Sequence, residues 1–102
     1  MRNRVDLNQD ISGLPGAEIV IQGLADLSDG LVTENCLLVL IASPNLRREG
    51  IHVPERPDIP SPREHELYFL LQQTHGDDAY TRHHSLLRRM ASFCRALESI
   101  DR

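Results

Sequence analysis

The sequence contains no lysine and no tryptophan: all eleven basic residues are arginine, and only 4% of its 102 residues are aromatic. Fifteen acidic residues outnumber the basic ones and give a formal net charge of −4. A protein that holds duplex nucleic acid normally does so through a basic surface. The charge balance therefore argues against duplex binding as the main activity of this chain.

Long apolar runs are also absent. The longest, residues 36–42, is far shorter than the ~20 residues that span a bilayer, so we expect no transmembrane helix and no membrane partner. Residues 1–10 carry two arginines but no apolar signal core behind them. We therefore expect a cytoplasmic protein.

Motifs that would identify a reaction are missing. The two cysteines, Cys36 and Cys94, are far apart in apolar surroundings, which predicts buried thiols rather than a disulfide framework or a zinc site. Five histidines fall between residues 52 and 84, but no two of them have the i, i+4 spacing of a metal-binding helix. There is no P-loop, GxGxxG or GxSxG pattern. We expect no metal, no cofactor and, on balance, no enzymatic activity.

What the sequence does contain is helical periodicity. Residues 1–13 are polar and are predicted to be a flexible arm, followed by a single helical domain over residues 14–102. Apolar residues recur at three- and four-residue steps from Ala17 to Leu27, and Asp29-Gly30 then indicates a turn.

The next segment, residues 36–42, is apolar on every side and must be buried. Periodicity alone leaves a buried strand open. We favour a helix capped by Thr33, because leucine and alanine prefer helices and no convincing partner strands are present. Ser43-Pro44 then predicts a kink or a short helix that runs to Glu49.

Residues 50–60 form the longest connection. Pro54, Pro57 and Pro60 recur at every third residue, which predicts an extended, polyproline-like strap. After it, Ser61-Pro62-Arg63-Glu64 has the pattern of a capping box, and Gly76 separates two helical stretches. The fold class we predict is all-α, with four to five helices around one core, a Pro-rich extended connection and a C-terminal helical hairpin.

Three groups of residues are candidates for a functional site. The first is an interface: Phe69 lies opposite the apolar stripe of its helix, and Leu38 and Val39 belong to the segment that is apolar all round. The second is a polar pocket at Tyr80 and His83, in the apolar seam of the last helix, where a buried histidine is commonly a core residue with a hydrogen-bond partner. The third is a set of possible nucleic-acid contacts on the same helix: Arg82, Arg88, Arg89 and Arg95.

These features support two hypotheses. The first is a small, non-enzymatic interaction or regulatory protein that forms a homo-oligomer, most simply a dimer. The reason is that the sequence has more apolar helix faces than one short chain is expected to cover. The alternative is a nucleic-acid-binding regulator that uses the arginines of the last helix. A charged row on a helix is more commonly a solvated face, and Gln72 and Arg82 do not fit a helix-turn-helix aligned on Gly76.

Overall fold

The structure describes residues 11–100, of which Ile100 contributes only its backbone, and these residues form helices joined by turns and irregular connections. This computed structural model has no strand within those residues, and the predicted all-α class is confirmed. Four helices have eight residues or more and one has six. In chain order they are α1 (Ala17–Ser28), α2 (Glu34–Ile41), α3 (Ser43–Arg48), α4 (Arg63–His75) and α5 (Ala79–Ile100).

Helix α2 lies at the centre of the fold. The side chains of residues 36–40 are all buried, and the helix packs against α1, α4 and α5. An all-apolar segment can be covered on every side only in such a position. The structure confirms helix rather than strand for this segment. It also confirms the cap, since Thr33 Oγ1 accepts a hydrogen bond from the Cys36 amide at 3.1 Å.

Helices α1 and α2 approach each other unusually closely at Gly23. A Cβ atom at this position would lie 2.5 Å from both the Asn35 carbonyl oxygen and Val39 Cγ2. Only a residue without a side chain fits there, and so a glycine inside a helix is explained by packing.

A buried polar cluster ties the ends of the same two helices together. Asp26 is only 5% exposed, yet both of its carboxylate oxygens have donors. Thr33 Oγ1 donates to Oδ2 at 2.6 Å, and Gln22 Nε2 donates to Oδ1 at 2.9 Å. Because both oxygens are satisfied, the carboxylate can remain buried without the penalty of an unpaired polar group.

The long connection after α3 packs on the core rather than standing away from it. Ile51, Val53 and Ile59 are buried, and the Arg47 guanidinium donates to the Val53 carbonyl oxygen at 2.8 Å. A turn closed by the Ile59 amide and the Arg56 carbonyl oxygen, 3.1 Å apart, interrupts the segment. The connection is therefore bent rather than one continuous extended strap.

The start of α4 differs from the prediction. The helix begins at Arg63 with Pro62 as its extended cap residue, and no side chain forms a capping hydrogen bond. Ser61 is exposed and lies two residues outside the helix. The capping box predicted for Ser61 and Glu64 is therefore wrong, because Pro62 rather than Ser61 occupies the cap position and no side chain bonds the first helical amides.

Helices α4 and α5 pack against each other and are joined by a short 3₁₀ turn, Gly76–Asp78. Gly76 has φ 58°, the left-handed region that favours glycine, and it ends α4. The buried apolar side chains of the described residues form one cluster that draws on every helix; its largest fully buried members include Phe93, Leu67, Leu71 and Leu97.

Residues 1–10 of the predicted arm lie outside the described residues. Ile11 has no exposed surface, so packing against the core begins no later than this residue. Within residues 11–100, no helix has both the length and the apolar character that crossing a membrane requires.

Candidate binding surfaces

The two apolar residues predicted for an interface in α2 are not available to a partner. Leu38 and Val39 both have 0% exposure within the chain itself. The neighbouring helices cover the segment completely, so the prediction of an interface role for these two residues is wrong.

Phe69 behaves differently, because 59% of its surface is exposed. Successive helical residues are about 100° apart, so the burial of Leu67 and Leu71 against the core directs Phe69 to the other side of α4. Val32, in the connection between α1 and α2, is 51% exposed. Both side chains line one open cleft.

This Phe69 cleft encloses about 290 Å³. Its apolar lining comes from three parts of the chain, and its rim carries the polar residues Asp58, Glu66 and Gln73; the apolar members are Val32, Leu37, Ile59, Pro60, Phe69 and Leu70. Sequence periodicity indicated Phe69 but not its neighbours, since Val32 and Ile59 come from connections that tertiary packing brings together.

One of the two carboxylates on the rim of the cleft, Asp58, is neutralised by an arginine. Arg56 donates to both carboxylate oxygens of Asp58, from Nε at 2.9 Å and from Nη2 at 2.8 Å. Hydrogen bonding to this guanidinium lowers the pKa of the Asp58 carboxyl group below its ordinary value. Glu66 is the second carboxylate that lines the cleft.

Tyr80 and His83, which were predicted to share a polar pocket, instead pair with different aromatic neighbours. His83 lies edge-on to Tyr68, with ring centroids 5.4 Å apart, and its Nε2 is 3.0 Å from the Glu64 carbonyl oxygen. A carbonyl oxygen only accepts, so Nε2 carries the hydrogen. Tyr80 is 70% exposed and stacks on His84 with centroids 6.4 Å apart. His83 is thus half-buried and hydrogen-bonded, as an ordinary structural histidine would be.

The four arginines of α5 have different surroundings. Arg82 lies 3.4 Å from Glu34 of α2, which His75 also contacts at 3.3 Å, and Arg89 pairs with Glu18 of α1. Arg95 donates weakly to Ser92 Oγ at 3.4 Å. No carboxylate within residues 11–99 lies within 4.0 Å of an Arg88 nitrogen.

A second concave surface, the α5 groove, follows the outer side of this helix. It encloses about 460 Å³ and is lined by Pro15, Thr81, His84, Ser85, Arg88, Arg89 and Ser92. A smaller hollow of about 330 Å³ adjoins it and shares Thr81, Ser85 and Arg89.

One wall of the α5 groove comes from Pro15 rather than from the helix, and the neighbouring Gly16 positions it. A Cβ atom at this residue would lie 3.1 Å from the Arg89 carbonyl oxygen, and φ is +83°. The glycine therefore lets the chain pass directly over α5, which places Pro15 at the edge of the groove. Sequence reasoning did not find this contact, because it joins residues from opposite ends of the described chain.

The two cysteines are unpaired and buried, as predicted. Burial raises the pKa of both thiols above the ordinary range, which keeps them protonated and unreactive near neutral pH. Within the described residues, no three histidine, cysteine or acidic side chains are grouped closely enough to hold a metal ion.

In comparisons with known proteins, no family model, no curated protein and no solved structure matches this chain.

Proposed function

We propose that this chain is a non-enzymatic interaction protein that self-associates through the Phe69 cleft. The observation that carries the proposal is the exposure of Phe69 and Val32 around a single cavity. Burial of one phenylalanine contributes about 1.5–3 kcal/mol, so a partner that covers both side chains gains substantially.

A second copy of the chain suits this surface because the same patch carries both a protruding ring and a hollow beside it. A two-fold interface requires a patch that is complementary to itself. Phe69 of one copy can enter the cleft of the other while its own cleft receives the equivalent ring. Repulsion between the two rims is limited, because Arg56 neutralises Asp58.

A cytoplasmic setting is part of the proposal. Both cysteines are free thiols, a state compatible with a reducing compartment.

Sedimentation velocity over a range of about 5–500 μM, which brackets weak dimer affinities, tests the proposal. We expect a concentration-dependent shift from monomer to dimer, and Phe69→Ser should abolish it without loss of helical circular dichroism. Tyr80→Ser is the matched control, because it removes another exposed aromatic side chain that does not line the cleft. A wild-type protein that stays monomeric throughout, or a dimer equally weakened by both substitutions, would contradict the proposal.

The nucleic-acid alternative has less support. Arg82 already contacts Glu34, and the net charge of −4 opposes approach of a polyanion. Affinity for a duplex that falls steeply with salt and is lost in Arg82→Gln would favour this alternative.

A further inference from the structure

The outer side of α5 combines hydroxyl and cationic side chains in one row. At about 100° per residue, Thr81, Ser85 and Ser92 fall within an arc of about 40°. Arg88 and Arg89 follow one another and so lie about 100° apart, one on each side of that row. All five side chains line the α5 groove.

The groove is suited to an anion because no acidic side chain of the described residues lines it. Its remaining members are Pro15 and His84, so no carboxylate from the described residues lines it. The His84 ring at the wall of the groove is stacked almost parallel to Tyr80, with 9° between the ring planes.

Both guanidinium groups can bind a ligand. Arg88 has no acidic partner within residues 11–99. Arg89 pairs with Glu18, but the side chains are 49% and 65% exposed, and an ion pair so open to water is weak. A guanidinium has five N–H donors, so Arg89 retains several for a second acceptor.

We propose that the α5 groove binds a small phosphorylated molecule, with the phosphate between Arg88 and Arg89 and the hydroxyl groups of Thr81 and Ser85 as further donors. Guanidinium groups match phosphate oxygens in bidentate geometry. A phosphate offers more acceptor oxygens than a carboxylate, and the groove is lined by both guanidinium and hydroxyl donors. The site shares no residue with the Phe69 cleft and does not depend on self-association.

Pyrophosphate is a suitable probe, because it presents phosphate oxygens and negative charge without an organic part. We expect titration of the ¹⁵N-labelled protein to shift the Nε–Hε resonances of Arg88 and Arg89 and the backbone amides of residues 81–92. Arg88→Gln should weaken binding about tenfold or more, since a charge-assisted hydrogen bond to phosphate is lost. Arg88→Gln/Arg89→Gln should abolish it.

Arg48→Gln is the matched control, because Arg48 is an exposed arginine of α3 that pairs with Glu98 outside the groove. Its affinity for pyrophosphate should equal that of the wild type. Circular dichroism should show the same helicity for all variants, since every substituted side chain is exposed.

Three results would overturn the proposal. One is the absence of any shift with millimolar pyrophosphate at low salt. Another is affinity that is unchanged in the double variant or equal for citrate, which would show nonspecific attraction of anions. The third is binding of a single-stranded oligonucleotide that pyrophosphate does not displace, which would favour a nucleic-acid surface instead.

Discussion

Substitution of Gly23 by alanine gives the sharpest test of how the two N-terminal helices pack. In an isolated helix this change stabilises by about 1 kcal/mol, because glycine loses more backbone entropy than alanine. Here the new methyl group would lie 2.5 Å from the Asn35 carbonyl oxygen and 2.5 Å from Val39 Cγ2. The nearest obstacle includes backbone, so a simple side-chain rotation cannot relieve the contact.

The balance of these two effects sets the expected magnitude. An ordinary contact needs at least 3.4 Å, so α1 and α2 must separate by nearly an ångström at this point. Overpacking of this kind costs about 1–3 kcal/mol or more, and it opens voids along the rest of the contact. Because the obstacle includes backbone, the cost lies at the upper end, about 3 kcal/mol, and subtracting the gain of about 1 kcal/mol leaves an expected net loss of about 2 kcal/mol in the free energy of unfolding, with each kcal/mol lowering Tm by about 4–8 °C.

Denaturant unfolding followed by circular dichroism measures this change, and Gly13→Ala is the matched control. A Cβ atom at Gly13 meets no atom within 4 Å, so that variant should be neutral or gain up to about 1 kcal/mol. If Gly23→Ala proved as stable as the wild type, α1 and α2 could not be packed as closely as the structure has them.

Three further predictions concern caps and thiols. Thr33→Val should lower stability by about 1–3 kcal/mol in chemical denaturation, because it removes both the cap of α2 and a donor to a buried carboxylate, whereas Thr33→Ser should retain most of it. Ser61→Ala should change the unfolding midpoint by less than about 0.5 kcal/mol; a larger loss would mean that Ser61 does cap α4. Cys36 and Cys94 should react with a thiol reagent only on unfolding. Their folded pKa values lie above those of the unfolded chain, so stability should be full below about pH 8.5 and fall as pH rises further.

Features that depend on neighbouring residues could be predicted from the sequence. The burial of the central helix α2 follows from its uninterrupted apolar run, its helical state from the preference of leucine and alanine and the lack of partner strands, and its cap from Thr33. These features rest on local physics: side-chain size, backbone preference and a hydrogen bond that spans three residues.

Features that depend on the path of the whole chain could not be predicted. An all-apolar helix must be covered, but the sequence cannot say whether its own chain or a partner covers it, and Leu38 and Val39 were misassigned for that reason. Serine is a residue type that commonly caps helices, yet Ser61 lies outside the helix, after the buried Ile59 and the turn that this residue closes.

The two binding surfaces show the same limit. Periodicity identified Phe69 and the arginines of α5, since each depends on position within one helix. The cleft and the groove also need Val32, Ile59 and Pro15, which come from distant segments. No local pattern relates those residues to the helices that they meet.

The passage of Gly16 over α5 has a consequence for the order in which the chain folds. Glu18 and Arg89 are 71 residues apart, whereas the Asp26–Thr33 bond that joins α1 to α2 closes a loop of seven. Loop-closure entropy grows with the logarithm of length, so the distant contact costs about 2 kcal/mol more to form in an unfolded chain. We therefore expect α1 and α2 to pair early and the docking of α5 beneath Gly16 to come late. A ligand held in the α5 groove would then stabilise the state in which α5 has docked. It would bind only to chains that have completed this last step of folding.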